Sequence, residues 1–254
     1  HMLKYNGNYP ISTRLHFKFI ILFQNISFYL SDYIVLHSPQ LIKEWNLEKY
    51  ERKMIYAHEY YIDPGKFEIK NEFEDRKNVI GYVGRLSEEK GIMNFIKSIP
   101  LISNYNELQF LIIGDGDLRD EIHDYINRNN LENVELKYWI DNDQLVKYLN
   151  KLKLLVIPSY TESGPLIALE AMACGTPVLI SNVGYVYSLI KSGENGFILE
   201  NNSPGCIADK INEILKNDSL DKVAYKAYKL VQQEFNFAKT VENWKENIGD
   251  LNNK

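Results

Sequence analysis

Hydrophobic positions along this chain change rhythm near residue 79. Beyond it, short apolar runs alternate with helix-length segments. Strands are predicted at 79–83, 108–113, 134–136, 154–157, 178–180 and 197–199. Helices are predicted between them at 91–99, 118–127, 142–150, after Pro165, and at 187–191. Alternation of this kind predicts an α/β domain: a Rossmann-like parallel sheet covered by helices on both faces. Ligands of such sheets sit beyond the carboxyl ends of the strands. Two more helices follow at 204–216 and 220–233; after a break at Phe235-Asn236-Phe237 comes a last helix at 238–248. The earlier part is less regular. A helix at 15–29 and a strand at 33–36 come first, then a helix entered through Ser38-Pro39, where Ser38 can cap. A strand at 54–56, a turn at 63–67 and a charged linker at 68–78 complete it.

Residues 15–36 are the one stretch that raises the question of a membrane. His16, Lys18, Gln24, Asn25 and Asp32 interrupt it, so it lacks the roughly 18 clean apolar residues of a span. A buried helix followed by a strand is the preferred reading, with peripheral membrane attachment as the alternative. Among 254 residues, 45% are apolar and 25% charged, with a net charge of −5. This describes a globular protein and gives no reason to expect nucleic-acid binding. Cys174 and Cys206 form neither a metal spacing nor a disulfide framework, and a reducing cytoplasm is the simplest setting.

The candidate chemistry centres on residues 154–180. Pro158-Ser159 ends a strand, Thr161 to Gly164 forms a turn cluster, and Pro165 suits a first helical position. Gly175 and Thr176-Pro177 stop the helix. Glu162 precedes the helix and Glu170 lies inside it, among Leu, Ile, Ala and Met. A carboxylate there is costly to bury without a partner. Taken alone, the two acids read as surface residues. Their neighbourhood points elsewhere, because the first turn of a helix offers free N–H groups to a phosphate.

Three further loops end strands of the same sheet. Gly81-Tyr82-Val83-Gly84-Arg85-Leu86-Ser87-Glu88-Glu89-Lys90-Gly91 combines glycines, which allow close backbone approach, with Arg85 as a fork and Lys90 as a point charge for phosphate oxygens. Ile113-Gly114-Asp115-Gly116-Asp117-Leu118 is not a dinucleotide fingerprint, since Arg119 stands where a third glycine belongs. Asp115 and Asp117 admit a metal reading, but Asp117 also suits a helix cap. In Tyr138-Trp139-Ile140-Asp141, Trp139 is either core or a ligand contact.

The run from Pro158 through Glu162, Glu170 and on to Val178 resembles the glutamate-x7-glutamate signature of the retaining, nucleotide-sugar-dependent glycosyltransferases, glycosyltransferase family 4 (group 1). The Gly84-Arg85-Leu86 to Lys90-Gly91 loop resembles that family's diphosphate loop. The resemblance implies the GT-B architecture of two Rossmann-like domains facing a cleft. It implies a partial acceptor-side domain and linker at 1–75, a donor-binding domain at 76–235, and a returning helix at 236–254. It implies transfer of a sugar from a UDP- or GDP-sugar to an acceptor hydroxyl with retention, in glycan or glycolipid synthesis. Arg85 and Lys90 would hold the leaving diphosphate, Glu162 the donor sugar and Glu170 the ribose. Gly84, Gly114 and Gly116 would lie against the donor, and Trp139 and Ile140 against the base. Ser163, Gly164 and Leu166 would offer N–H groups, although the family usually has Glu-Gly-Phe-Gly where this chain has Glu162-Ser163-Gly164-Pro165. No cofactor or metal is demanded. Implied partners are the nucleotide sugar and a carbohydrate or lipid-linked acceptor. Rival readings are a non-catalytic nucleotide-sugar-binding or scaffold subunit and a GT-B-type epimerase or phosphorylase. The short first domain suggests a fragment with little activity alone, one that exposes apolar surface along Phe17, Ile20, Ile21 and Phe28 and self-associates.

Overall fold

A computed structural model describes residues 11–36, 39–57, 60–162 and 164–249. The chain forms two compact units, His1–His58 with Asn243–Lys254, and Glu59–Glu242.

In the first unit, helix α1 (Ile11–Leu30) precedes strand β1 (Ile34–Leu36), helix α2 (Gln40–Trp45) and strand β2 (Met54–Tyr56). The strands pair in parallel, Ile34 opposite Met54. Their small core joins Ile34, Leu36, Leu41, Ile42, Tyr50 and Met54, with Phe28 packed on it. Lys53 closes the end of α1 by donating to Tyr29 O at 2.8 Å and Ser31 O at 2.7 Å, as a cation suits a helix C-terminus. The expected burial of α1 is not what the structure shows: Phe19, Leu22 and Phe23 are exposed, and Ile20 and Ile21 are exposed as the fragment reading expects. Phe28, expected to be bare, is held beside Tyr50 with ring centroids 5.6 Å apart. The side chain of Phe17 and the capping role of Ser38 lie outside the described residues. Among the described residues no helix is long and apolar enough to cross a membrane.

The second unit is built on six parallel strands: β3 (Val79–Val83), β4 (Gln109–Ile113), β5 (Val134–Lys137), β6 (Leu154–Ile157), β7 (Val178–Ser181) and β8 (Phe197–Leu199). Their order across the sheet is β5-β4-β3-β6-β7-β8. Successive side chains face opposite ways, and the apolar residues sort accordingly. Ile80, Tyr82, Phe110, Ile112, Leu154, Val156 and Leu179 line one face. Helices α3 (Ile92–Ser98), α4 (Arg119–Arg128) and α8 (Pro204–Leu215) cover it through Phe95, Ile122 and Ile211. Leu111, Ile113, Leu155, Ile157, Val178 and Ile180 line the other. There α5 (Asn142–Leu149), α6 (Leu166–Ala173) and α9 (Leu220–Glu234) pack through Leu149, Met172 and Val231. The short helix α7 (Val186–Leu189) and the last helix, α10 (Phe237–Gly249), complete the element order. This is the α/β architecture of the GT-B type that the alternation and the motifs predict.

From β3 the chain steps outward to β4 and β5, then returns to place β6 on the other side of β3. The reversal makes a topological switch point, where the loops leaving neighbouring strands part and open a crevice.

Candidate functional site

The loops after β3 and β6 leave adjacent strands and are fastened to each other. Gly91 ends a single 3-10 turn, Glu88–Lys90, in the left-handed region at φ 66°. A β-carbon there would stand 2.0 Å from Pro158 O, so only glycine lets the loops approach this closely. Tyr160 N donates to Glu89 O at 2.8 Å, and Asn94 Nδ2 donates to the Tyr160 hydroxyl at 2.6 Å.

That closeness brings the two motifs together. Lys90 Nζ donates to Glu162 Oε1 at 2.7 Å, and Ser159 Oγ donates to the same oxygen at 2.7 Å. The Glu162 side chain is only 8% exposed. A carboxylate in so dry a place needs a partner, and here it has a cation and a hydroxyl. Both bonds fall on Oε1; among the described residues none reaches Oε2.

Arg85 lies in the same loop but does not join the pair. Its guanidinium reaches Glu89 Oε1 at 3.2 Å and remains 66% exposed. Its backbone is fixed, since the Tyr82 hydroxyl donates to Arg85 O at 2.7 Å. Burial pushes the Tyr82 phenol well above its ordinary range.

Glu170 sits half-buried in α6. Burial pushes its carboxyl up to about 7, while the Lys66 ammonium pulls it down. Among the described residues no hydrogen-bond partner reaches this carboxyl. The helix starts one residue later than expected, with Pro165 as its cap rather than its first residue. The Leu166 N–H expected to face a ligand is taken by Gly164 O at 2.9 Å, and the Leu166 side chain is exposed. Tyr60 lies against Gly164, where a β-carbon would stand 2.0 Å from its hydroxyl. Ser163 falls outside the described residues.

The loop after β4 packs on the first loop backbone to backbone. Gly84 N donates to Ile113 O at 3.0 Å, and Leu86 N to Asp115 O at 2.9 Å. A β-carbon would come 1.8 Å from Gly84 O at Gly114 and 2.5 Å from Leu86 O at Gly116. These glycines are needed for loop packing, whatever they do for a ligand. Asp115 Oδ1 accepts from Gly116 N at 2.9 Å, and its other oxygen faces Arg119 at 3.7 Å. Asp117 does not cap the next helix; Leu118 holds that position and no side chain bonds there. Among the described residues no three His, Cys, Asp or Glu side chains gather as metal ligands would.

In the loop after β5, Trp139 is 78% exposed and therefore not core. The Arg119 guanidinium stacks over the neighbouring Tyr138 ring at 3.7 Å. Ile140 is half-buried against the lower cluster that contains Leu145. Tyr60, Asn94, Ser159 and Tyr160 were not singled out from the sequence as site residues. Only Ser159 carried a signal, as part of the Pro-Ser pair before Glu162.

A concavity of about 840 Å³ lies at the opposite end of the sheet, lined by residues such as Lys77, Gln109, Asn133 and Lys151. None of the motif residues reaches it. We place the candidate site at the carboxyl ends of β3 and β6, where a paired acid and cation meet at the switch point.

Residues 65–230 match the family of glycosyl transferases group 1, and the chain belongs to that family. An uncharacterized glycosyltransferase of Methanocaldococcus jannaschii is 32% identical over 160 residues, 63% of this chain and 44% of its own. The capsular polysaccharide biosynthesis glycosyltransferase CapM of Staphylococcus aureus is 29% identical over 187 residues, 71% of this chain and 48% of its own. The chain thus spans about half the length of the curated relatives it matches. Anabaena HepE, solved in complex with UDP and glucose, superposes with a TM-score of 0.74 at 20% identity, over 89% of this chain and 65% of its own.

Proposed function

We propose that this chain binds a nucleoside diphosphate sugar of UDP or GDP type and serves its transfer to an acceptor hydroxyl with retention, as in glycosyltransferase family 4. The observation that carries this reading is the 2.7 Å contact between Lys90 Nζ and Glu162 Oε1. A cation suited to a diphosphate and an acid suited to sugar hydroxyls stand side by side at the switch point. The bound UDP and glucose of HepE, and the polysaccharide role in CapM's name, supply the donor chemistry and the setting.

In this reading Lys90, with Arg85 swinging from Glu89, neutralises charge growing on the departing diphosphate. Fixed charges aimed at a developing anion are the usual source of such rate gains. The free Oε2 of Glu162 accepts a donor-sugar hydroxyl. Glu170 accepts from the ribose, and Trp139 and Ile140 flank the base. Residues 76–235 are the donor half, 1–75 part of an acceptor side, and 236–254 the helix that returns to it. The acceptor is a carbohydrate or lipid-linked hydroxyl compound. Assayed alone, these 254 residues bind donor and transfer little.

Titration calorimetry with UDP, GDP and their sugars, with and without EDTA, tests the reading. Binding of one diphosphate and tighter binding of its sugar, both unchanged by EDTA, is expected. Absence of binding to either nucleotide, or a strict need for a divalent ion, would overturn it.

A further inference from the structure

The contact with Lys90 gives the buried Glu162 side chain a partner, but does not account for what fixes the turn that carries it. Two polar residues outside the four ligand loops and their helices do so. Ser181 ends β7, and Asn202 follows β8. Asn202 Nδ2 donates to Pro158 O at 2.9 Å and to Ser159 O at 3.3 Å. Its Oδ1 accepts from Ser181 Oγ at 2.7 Å. Ser181 is buried and Asn202 half-buried, so these bonds form where water competes poorly. Asn202 Nδ2 is spent on the Pro158-Ser159 region, while Ser181, whose hydroxyl also lies 3.5 Å from Ile157 O, anchors the Asn202 amide from β7.

We propose that Asn202 and Ser159 are positioning residues for the donor-sugar contact, acting as one relay. Asn202 holds the backbone of Ser159; the Ser159 hydroxyl, on a residue 1% exposed, holds Oε1 of Glu162; Oε2 is left without a hydrogen-bond partner among the described residues. An unrestrained glutamate would pair both oxygens with Lys90 or rotate away. A carboxylate with one oxygen occupied by two fixed donors offers the other in a single direction. This is what selecting one hydroxyl of a sugar requires. The relay runs from the far side of the sheet, beyond β7, to the switch point. It is invisible in local motifs because Asn202 lies forty residues from Glu162 in sequence. The inference rests on the proposed donor reading.

The test is the gain in affinity that the sugar brings, the ratio of the dissociation constants of a free diphosphate and its sugar. Calorimetry would use UDP with UDP-glucose and UDP-N-acetylglucosamine, and GDP with GDP-mannose. Ser159→Ala is expected to cut the ratio about tenfold, in keeping with a lost hydrogen bond to a charged group, while the diphosphate itself binds within twofold of the parent. Asn202→Ala should act in the same direction. In a Glu162→Ala background, adding Ser159→Ala should change nothing further. An unchanged ratio in Ser159→Ala overturns the relay and leaves the donor reading standing. Equal losses for diphosphate and sugar, or a further loss in the Glu162→Ala background, also overturn it. A parent chain that shows no gain for any of the sugars overturns the donor reading and the relay together. Thermal unfolding of each variant identifies any that fail to fold, and Ser159→Ala, which removes one atom, decides if Asn202→Ala does.

Discussion

The turn that carries Glu162 and the helix that carries Glu170 hold their acids in opposite states. Glu162 has a cation and a hydroxyl on one oxygen. Glu170 has no hydrogen-bond partner among the described residues, and its carboxyl is pushed up to about 7 by burial. One acid is neutralised in advance by the protein. The other has no such hydrogen-bond partner among the described residues, and burial raises its carboxyl. Under the proposed roles, Glu162 for the donor sugar and Glu170 for the ribose, the difference separates two tasks: fixing a direction, which needs prior anchoring, and gripping a ligand, which benefits from unmet need.

The largest expected effect comes from titrating the second acid. A glutamate of ordinary environment loses its proton near 4.5, whereas Glu170 keeps its own to about 7. The folded state thus binds more protons than the unfolded one in that window. The contribution of Glu170 to stability is fully present below pH 4.5 and is lost as pH rises from there through about 7. Glu170→Gln should remove this loss, raising stability at pH 8 by up to about 3 kcal/mol and barely changing it at pH 4. Denaturant melts at both values check this. The same substitution should weaken uridine binding at pH 8 and flatten its dependence on pH. Parallel melts of parent and variant across the range would erase the contrast between the two acids.

Lys90→Ala attacks the other acid. It removes a diphosphate donor and strands Glu162, so UDP affinity should fall by about 2 kcal/mol, the scale of a hydrogen bond to a charged group. Uridine affinity should hold. Calorimetry with both ligands decides; equal losses would show that the pair only supports the fold. Arg85→Ala should cost less, about 1 kcal/mol of UDP affinity and no measurable stability, because its partner Glu89 is a surface contact. Trp139→Ala should be the mildest. An exposed side chain away from special features changes stability by no more than about 0.5 kcal/mol, and a modest loss confined to ligands with a base would sharpen the division of labour. Fluorescence titration against UDP and inorganic diphosphate distinguishes them.

The alternation of apolar runs located every strand of the large sheet, because a strand buried on both faces must be apolar throughout, as Leu154 to Ile157 is. The same logic failed for α1. An apolar helix reads as buried; the exposure of Ile20 and Ile21 followed only from the shortness of the first domain, and that of Phe19 and Phe23 was not singled out. Within the site, Lys90 and Glu162 could be named from their motifs, but their contact could not. It depends on β6 returning to β3. Asp117 had the right chemistry for a cap but the wrong position by one residue. Asn94, Tyr160 and Asn202 act through hydrogen bonds to backbone or side chains distant in sequence, and such bonds leave no periodicity to read.

The pairing of β3 with β6 also ties the site to a contact between strands distant in sequence. Ile80 lies beside Leu154, and Gly81 beside Leu155. Strands β3, β4 and β5 pair in the order in which they occur along the chain. One edge of β3 then stays open, and an unpaired strand edge recruits other chains. Such distant pairings form slowly, since a long loop must be closed before any contact rewards it. Until β6 arrives, Lys90 has no acid and Gly91 has no carbonyl to meet. The pairing that covers the inner edge of β3 is therefore also the one that completes the site.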